Sequence, residues 1–305
     1  MKNILLLLLI FIGVKSIAQN VSGLYSGTLV NDSTKKVQNY ELALSEYRDK
    51  ITGYSYTTFI INDTFYYSIK RVKGEKKNGQ LIVEDTKMLA NNFPESPARN
   101  VHQINTIPLT AQDTMTEIKG AWKTTQTKKY YALTGSVDMK RDNDSAQSQL
   151  IAHLTELKEI NPNTQPTIAK GSKTNANNIL HNTTLPYTQR QTKMIQSLHI
   201  SADSVVLSFY DNGVVDGDTI SVYINNIPVL EHQLLTAHAV KKTIHLNTIK
   251  DSTITLLLVA ENLGTLPPNT GLITIQDGNQ KHQVHFSADL QTNAAIVLRN
   301  RNLVD

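Results

Sequence analysis

The sequence predicts an all-β chain in two parts. A small antiparallel barrel comes first and an Ig-like or jelly-roll-like β-sandwich follows, joined by one short helix and a polar linker. Three observations predict this. Short β-prone runs alternate with turn clusters from Gly23 to Arg141 at even spacing, which is the pattern of a closed or stacked antiparallel sheet. The same pattern resumes from about Met194 to Arg299. Between the two, apolar periodicity first turns helical and then disappears. A length of 305 residues suits two domains. The boundaries are 1–18 for a leader, 22–141 for the barrel, 142–188 for helix and linker, and 189–302 for the sandwich.

The first residues read as an address. Met1-Lys2-Asn3 is a short positive stretch, Ile4 to Val14 is apolar, and Ser16-Ile17-Ala18 puts small residues at the −3 and −1 positions of a cleavage site. The apolar run is far shorter than the roughly 20 residues a membrane helix needs. The expectation is an exported chain beginning at Gln19, in the periplasm, at the outer surface or secreted, with no transmembrane segment. The chain has no cysteine, which excludes disulfides, thiolate nucleophiles and thiolate metal ligands.

In the first half the expected strands are GLYSGTLV, VQNYELAL, KITGYSYTTF, TFYYSIKR, GQLIVED, MTEIKGAWKTT and YYALTGSVDM. Gly53, Gly79, Gly120 and Gly135 fall in or beside them, where glycine permits sharp bends. After Arg141, Asp144 is placed to cap a helix with Leu150, Ile151, Leu154 and Leu157 on one face. Residues 160–188, with NPNTQPTIAKGSKTNANN, are polar and poor in large apolar residues and read as linker. In the second half the strands are SLHIS, SVVLSFY, DTISVYI, KKTIHLN, TITLLLVAEN, GLITIQD, KHQVHFS and AAIVLR. Their expected core is Val205, Leu207, Phe209, Ile220, Val222, Ile254, Leu256, Leu258, Ile273, Val284 and Phe286.

The formal net charge is +4, and Lys2 and Lys15 of the leader carry two of those charges. The densest basic stretches, KGEKK at 73–77 and KTTQTKK at 123–129, read as solvated hairpin ends without the aromatic-basic pattern of a nucleic-acid module. No Gly-x-Ser-x-Gly, Gly-x-Gly-x-x-Gly, phosphate-binding loop or His-Glu-x-x-His occurs. The nine histidines show no metal-ligand spacing, and His282 and His285 fall on opposite faces of one strand. Glu41 and Glu46 form no evident dyad.

Two stretches carry candidate chemistry. YDNGVVDGDT, with Asp211, Asp216 and Asp218, reads either as hard oxygen ligands for calcium or as Asx and glycine turns between strands. The EF-hand spacing fails. Its partner is AENLGTLPPNTG at 260–271. In the first half, thirteen of the eighteen aromatics after the leader fall in 20–141. Tyr25, Tyr54, Tyr56 and Trp122 are therefore the candidates to line a cavity or stack on sugar rings, with barrel filling as the other reading. Asp-Ser/Thr followed by a small or apolar residue recurs at 32–34, 113–115 and 144–146. It is similar to the O-glycosylation sequon of Bacteroidetes-type bacteria, with Ser33, Thr114 and Ser145 as acceptors.

Tyr210-Asp-Asn-Gly, Asp216-Gly-Asp-Thr-Ile-Ser-Val and Ala260-Glu-Asn-Leu-Gly with Pro-Pro-Asn-Thr270 together resemble a C-terminal β-sandwich domain. That domain recurs in exported proteins of Bacteroidetes-type bacteria, and the resemblance spans about 188–302. It implies the sandwich and an exported setting, and no reaction. Gly23-Leu24-Tyr25 followed by Gly27 more weakly resembles the opening of lipocalin-like or avidin-like barrels, with Tyr25 where those carry tryptophan. The expected function is an exported, non-enzymatic binding or envelope-associated protein, its partner a small hydrophobic ligand, a glycan or an envelope protein. The alternative is a hydrolase of envelope or extracellular glycans with carboxylates at the barrel mouth.

Overall fold

A computed structural model describes residues 19–300 apart from 49, 144, 146–147, 161–184, 214, 250, 252 and 266. The strands expected from Gly23 to Arg141 form one closed antiparallel barrel in simple sequence order. They are β1 (Gly23–Asn31), β2 (Val37–Tyr47), β3 (Lys50–Ile61), β4 (Thr64–Lys77), β5 (Gln80–Asn91), β6 (Gln103–Pro108), β7 (Glu117–Thr124) and β8 (Thr134–Asp142). Closure is the pairing of β1 with β8, Leu24 opposite Asp142 through Asn31 opposite Gly135. Two glycines permit that seam. A Cβ at Gly27 would lie 2.2 Å from the Asp138 carbonyl oxygen, and one at Gly135 would lie 2.0 Å from that of Val30.

Alternation along each strand sends one set of side chains inward. Tyr25, Leu29, Tyr40, Leu42, Leu44, Ile51, Val72, Leu81, Val83, Ile107, Ile118, Trp122, Val137 and Met139 make a single buried cluster, sealed by Val21 and Met115. The interior is thus a packed core, held by the burial of apolar surface.

Sequence reasoning missed β6, and the reason is visible. Gln103 and Asn105 alternate with Ile104 and Thr106, so the inward face of this strand is partly polar and apolar alternation fails. A second boundary also differs. The run YYALTGSVDM reads as one strand, but β8 begins only at Thr134. Tyr130 folds back in a turn, its carbonyl accepting from the Thr127 amide and its own amide donating to Thr127 Oγ1.

The helix α1 (Gln149–Glu156) follows β8. Its first turn is held by Glu41 of β2, whose carboxylate accepts from the Ser148 hydroxyl and from the amides of Gln149 (3.2 Å) and Leu150 (3.1 Å). An acceptor brought from a distant strand does the work expected of a local cap, and Asp144 lies outside the described residues. Leu150 and Leu154 are buried, while Leu157 lies past the helix end and is exposed.

The second half is a two-sheet sandwich. Its strands are β9 (Gln191–Ile200), β10 (Ser204–Asp211), β11 (Thr219–Ile224), β12 (Ile227–Leu234), β13 (Val240–His245), β14 (Thr253–Ala260), β15 (Asn269–Asp277), β16 (Gln280–Ala288) and β17 (Thr292–Asn300). One sheet runs β13-β10-β15-β16 and the other β12-β11-β14-β17-β9. All pairs are antiparallel except β17 with β9. Every residue named above for this core belongs to one buried cluster drawn from both sheets. The strand not foreseen is β12. It is an edge strand with no buried residue, begins Ile227-Pro228 and pairs with shifts of register, so it carries no alternation to read.

Two compact units divide the chain. The first takes the chain to Tyr56, Ile69–Leu89 and Ala98–Leu150; the second takes Thr57–Ser68, Ala90–Pro97 and the chain from Ile151. The tip of the β3–β4 hairpin thus belongs to the second unit. There the Phe65 amide donates to the Ala237 carbonyl and Lys241 pairs with Asp63 at 2.6 Å.

Candidate functional site

The two sequence segments expected to act together do so by binding each other. Asp211 ends β10 and Asp218 precedes β11, and both are almost fully buried. Asp211 accepts from the amides of Gly213 (3.0 Å) and Asp216, which folds the loop onto its own carboxyl group. Asp218 accepts from the Thr270 amide at 2.9 Å. Thr270 donates its hydroxyl to Asn212 Oδ1, and Asn269 donates to the Thr219 carbonyl. Asn262 joins the two segments again, accepting from the Thr219 amide and donating to the Gly217 carbonyl, both at 2.8 Å. Asp216 is half-buried and its carboxylate lies against Gly264, a left-handed residue at φ +54° where a Cβ would come within 2.6 Å.

This arrangement has an electrostatic consequence. Among the described residues Asp211 Oδ2 and Asp218 Oδ1 are buried without a hydrogen-bond donor, so ionisation would place charge on poorly solvated atoms. Burial, reinforced by neighbouring aspartates, pushes the Asp218 carboxyl up to about 7 and Asp211 to about 6. Nearby, burial draws the His285 imidazole down to about 4, and its Nδ1 lies 3.3 Å from Asn212 Nδ2. Among the described residues no three His, Asp or Glu side chains converge as a ready metal site. The aspartates are engaged as backbone clamps.

The four aromatic candidates do not surround one cavity. Tyr25 and Trp122 are in the barrel core. The Tyr25 hydroxyl reaches the carbonyls of Val21 (3.0 Å) and Met115 (3.3 Å), and burial pushes it up to about 12. Trp122 lies against Gly135, and its Nε1 has no hydrogen-bond partner among the described residues. Tyr54 and Tyr56 are on the opposite face of β3 from the inward-facing Ile51, Tyr56 buried and Tyr54 half-buried. Of the proposed acceptors, Ser33 and Thr114 are exposed and Ser145 is half-buried.

The barrel interior also holds polar groups that pattern reading passed over. Lys70 pairs with buried Asp85 at 2.6 Å, Gln103 donates to Asn105, and Asn105 donates to the Tyr40 hydroxyl at 3.1 Å. Burial raises the Tyr40 phenol well above its ordinary range. At the other end Lys76 pairs with Glu46 and donates to the Gln19 carbonyl. A cleft there, lined by Gln19, Pro108, Thr110, Gln112, Met115 and their neighbours, has a volume of about 300 Å³.

One exposed group had a signal in the sequence that was misread. Tyr130, Tyr131 and Leu133 lie in the β7–β8 loop rather than on a strand, directly after the basic stretch 123–129. Tyr131 is 87% exposed and Leu133 48%. Lys129 Nζ sits 5.5 Å from the centre of the Tyr130 ring. KKYYAL juxtaposes basic and aromatic residues, and the strand propensity of its tyrosines conceals that they precede β8.

Comparison with protein-family models, with curated proteins and with solved structures returns no match.

Proposed function

We propose that this chain is an exported, non-enzymatic binding or envelope-associated protein that makes its contacts on its outer surface, with the barrel as a filled platform. The observation that carries this reading is the exposed cluster of Tyr130, Tyr131 and Leu133 at the β7–β8 loop, in a barrel whose inward aromatics Tyr25, Tyr40 and Trp122 are buried. Large apolar groups held in water on a rigid turn cost solvation free energy that a contact would recover. The leader-like segment at 1–18 supports the exported setting. Fractionation of the native host tests the proposal. The protein should be recovered outside the cytoplasm, either with the envelope and released by washing or in the periplasmic or secreted fraction, whereas retention in the cytoplasm would overturn it.

A further inference from the structure

We propose that the barrel end formed by the β1–β2 turn and the β7–β8 loop docks on the surface of an anionic lipid bilayer; this rests on the outward-contact reading above and names its partner. The two segments are one surface. The Asp32 amide donates to the Thr134 carbonyl at 3.0 Å, and Thr134 Oγ1 returns a bond to the Asp32 carboxylate at 2.7 Å. Val37, 52% exposed, opens β2 on this side and joins Tyr130, Tyr131 and Leu133 as a fourth apolar tip. The loop is built rather than slack: Thr124 and Leu133 exchange two hydrogen bonds at 2.9 Å across its base.

Charge selects the partner. Lys35, Lys36, Lys123, Lys128 and Lys129 are all exposed on these segments, and their one carboxylate, Asp32, is engaged by Thr134. The surface is therefore complementary to phosphate-rich anions. The apolar tips then separate a bilayer from a soluble polyanion. Leu133 and Val37 gain only by leaving water, which a lipid interface offers and a hydrated polyanion does not. Tyrosine favours the same interfacial layer, with its ring at headgroup depth and its hydroxyl wet, while lysine stems reach outward to the phosphates.

The test is cosedimentation of the chain from Gln19, which retains every described residue and omits the apolar run 4–14 that would bind lipid itself. Vesicles of phosphatidylcholine with and without phosphatidylglycerol are compared at low and at physiological salt. Binding should require the anionic lipid and weaken with salt. Lys128→Gln with Lys129→Gln should lower partitioning roughly fivefold per lysine. Tyr131→Ser with Leu133→Ser should lower it at both salt concentrations. Unchanged melting and Trp122 fluorescence verify that the variants are folded. Equal binding to both vesicle types, or none, overturns the inference. So does anionic-vesicle binding that the Tyr131/Leu133 variant retains in full and soluble polyphosphate abolishes, because that marks a polyanion site. If vesicles fail while envelope sedimentation in the host persists, the lipid inference falls and the binding reading stands.

Discussion

Replacing Asp218 by asparagine should make the sandwich more stable in mild alkali, an unusual direction for the loss of a buried hydrogen-bonding residue. The carboxyl titrates near 7 when folded, against an ordinary value of 3.8. The folded state therefore holds a proton that the unfolded state releases across that window. Stability from this group is full below about 3.8 and is lost as pH rises through 7. The full span is about 4 kcal/mol at 1.36 kcal/mol per pH unit, and the part falling between pH 6 and pH 8.5 is about 1.4 kcal/mol. Asparagine keeps an acceptor for the Thr270 amide and cannot ionise. The difference between variant and wild type should thus grow by that amount over the upper window. His285 works the other way only below its ordinary 6.5, since its folded value is depressed, and it is common to both proteins. Calorimetry at pH 6, 7 and 8.5 resolves the two units. Trp122 is the only tryptophan and lies in the barrel, so its fluorescence should report a transition that does not respond to the substitution. A wild-type sandwich whose stability is flat or rising from pH 6 to 8.5, with the variant parallel to it, would refute the reasoning.

Lys70→Met should lower barrel stability by about 3 kcal/mol, because it strands the buried Asp85 carboxylate, and adding Asp85→Asn should restore most of it. Urea titrations followed by Trp122 fluorescence measure both. Glu41→Ala should cost about 2 kcal/mol, since the Ser148 hydroxyl and two amides at the start of α1 lose their acceptor together. The melting temperature of the first unit gives the answer. Millimolar calcium against EDTA should leave the melt of the full chain in place, because Asp211 and Asp218 already hold backbone amides. A site at a hundred times its dissociation constant would add about 2.7 kcal/mol, and a shift abolished by Asp216→Ala would reassign the loop to metal.

Where one face of a strand is buried and apolar, the sequence was readable. Val205, Leu207 and Phe209 alternate cleanly along β10 and all three reached the core. Where that condition fails, the reading failed with it. Inward Gln103 and Asn105 concealed β6, and the exposed β12 had no inner face to reveal. The partnership of the acidic loop with 260–271 was legible, but a hairpin turn was not what it forms: β10 and β11 lie in different sheets, and the loop crosses between them. Its proton affinity was not legible, because that depends on which carboxyl oxygens end without a donor once both segments have closed. The cap of α1 was out of reach for a related reason: Glu41 is more than a hundred residues away. The exposed tyrosines were lost to one boundary, since Tyr130 and Tyr131 suit a strand by propensity and are held in a turn by Thr127.

The placement of β17 has a consequence for how the chain is made. It is the last described strand to be synthesised, yet it lies inside its sheet, between β14 and β9. A chain cut short before Thr292 leaves β14 with an open edge, deprives β9 of its one partner, and removes Ile296 and Leu298 from the core. Copies that lack β17 present an unpaired β14 edge and a core without Ile296 and Leu298, and proteases should cleave them faster than copies that carry it.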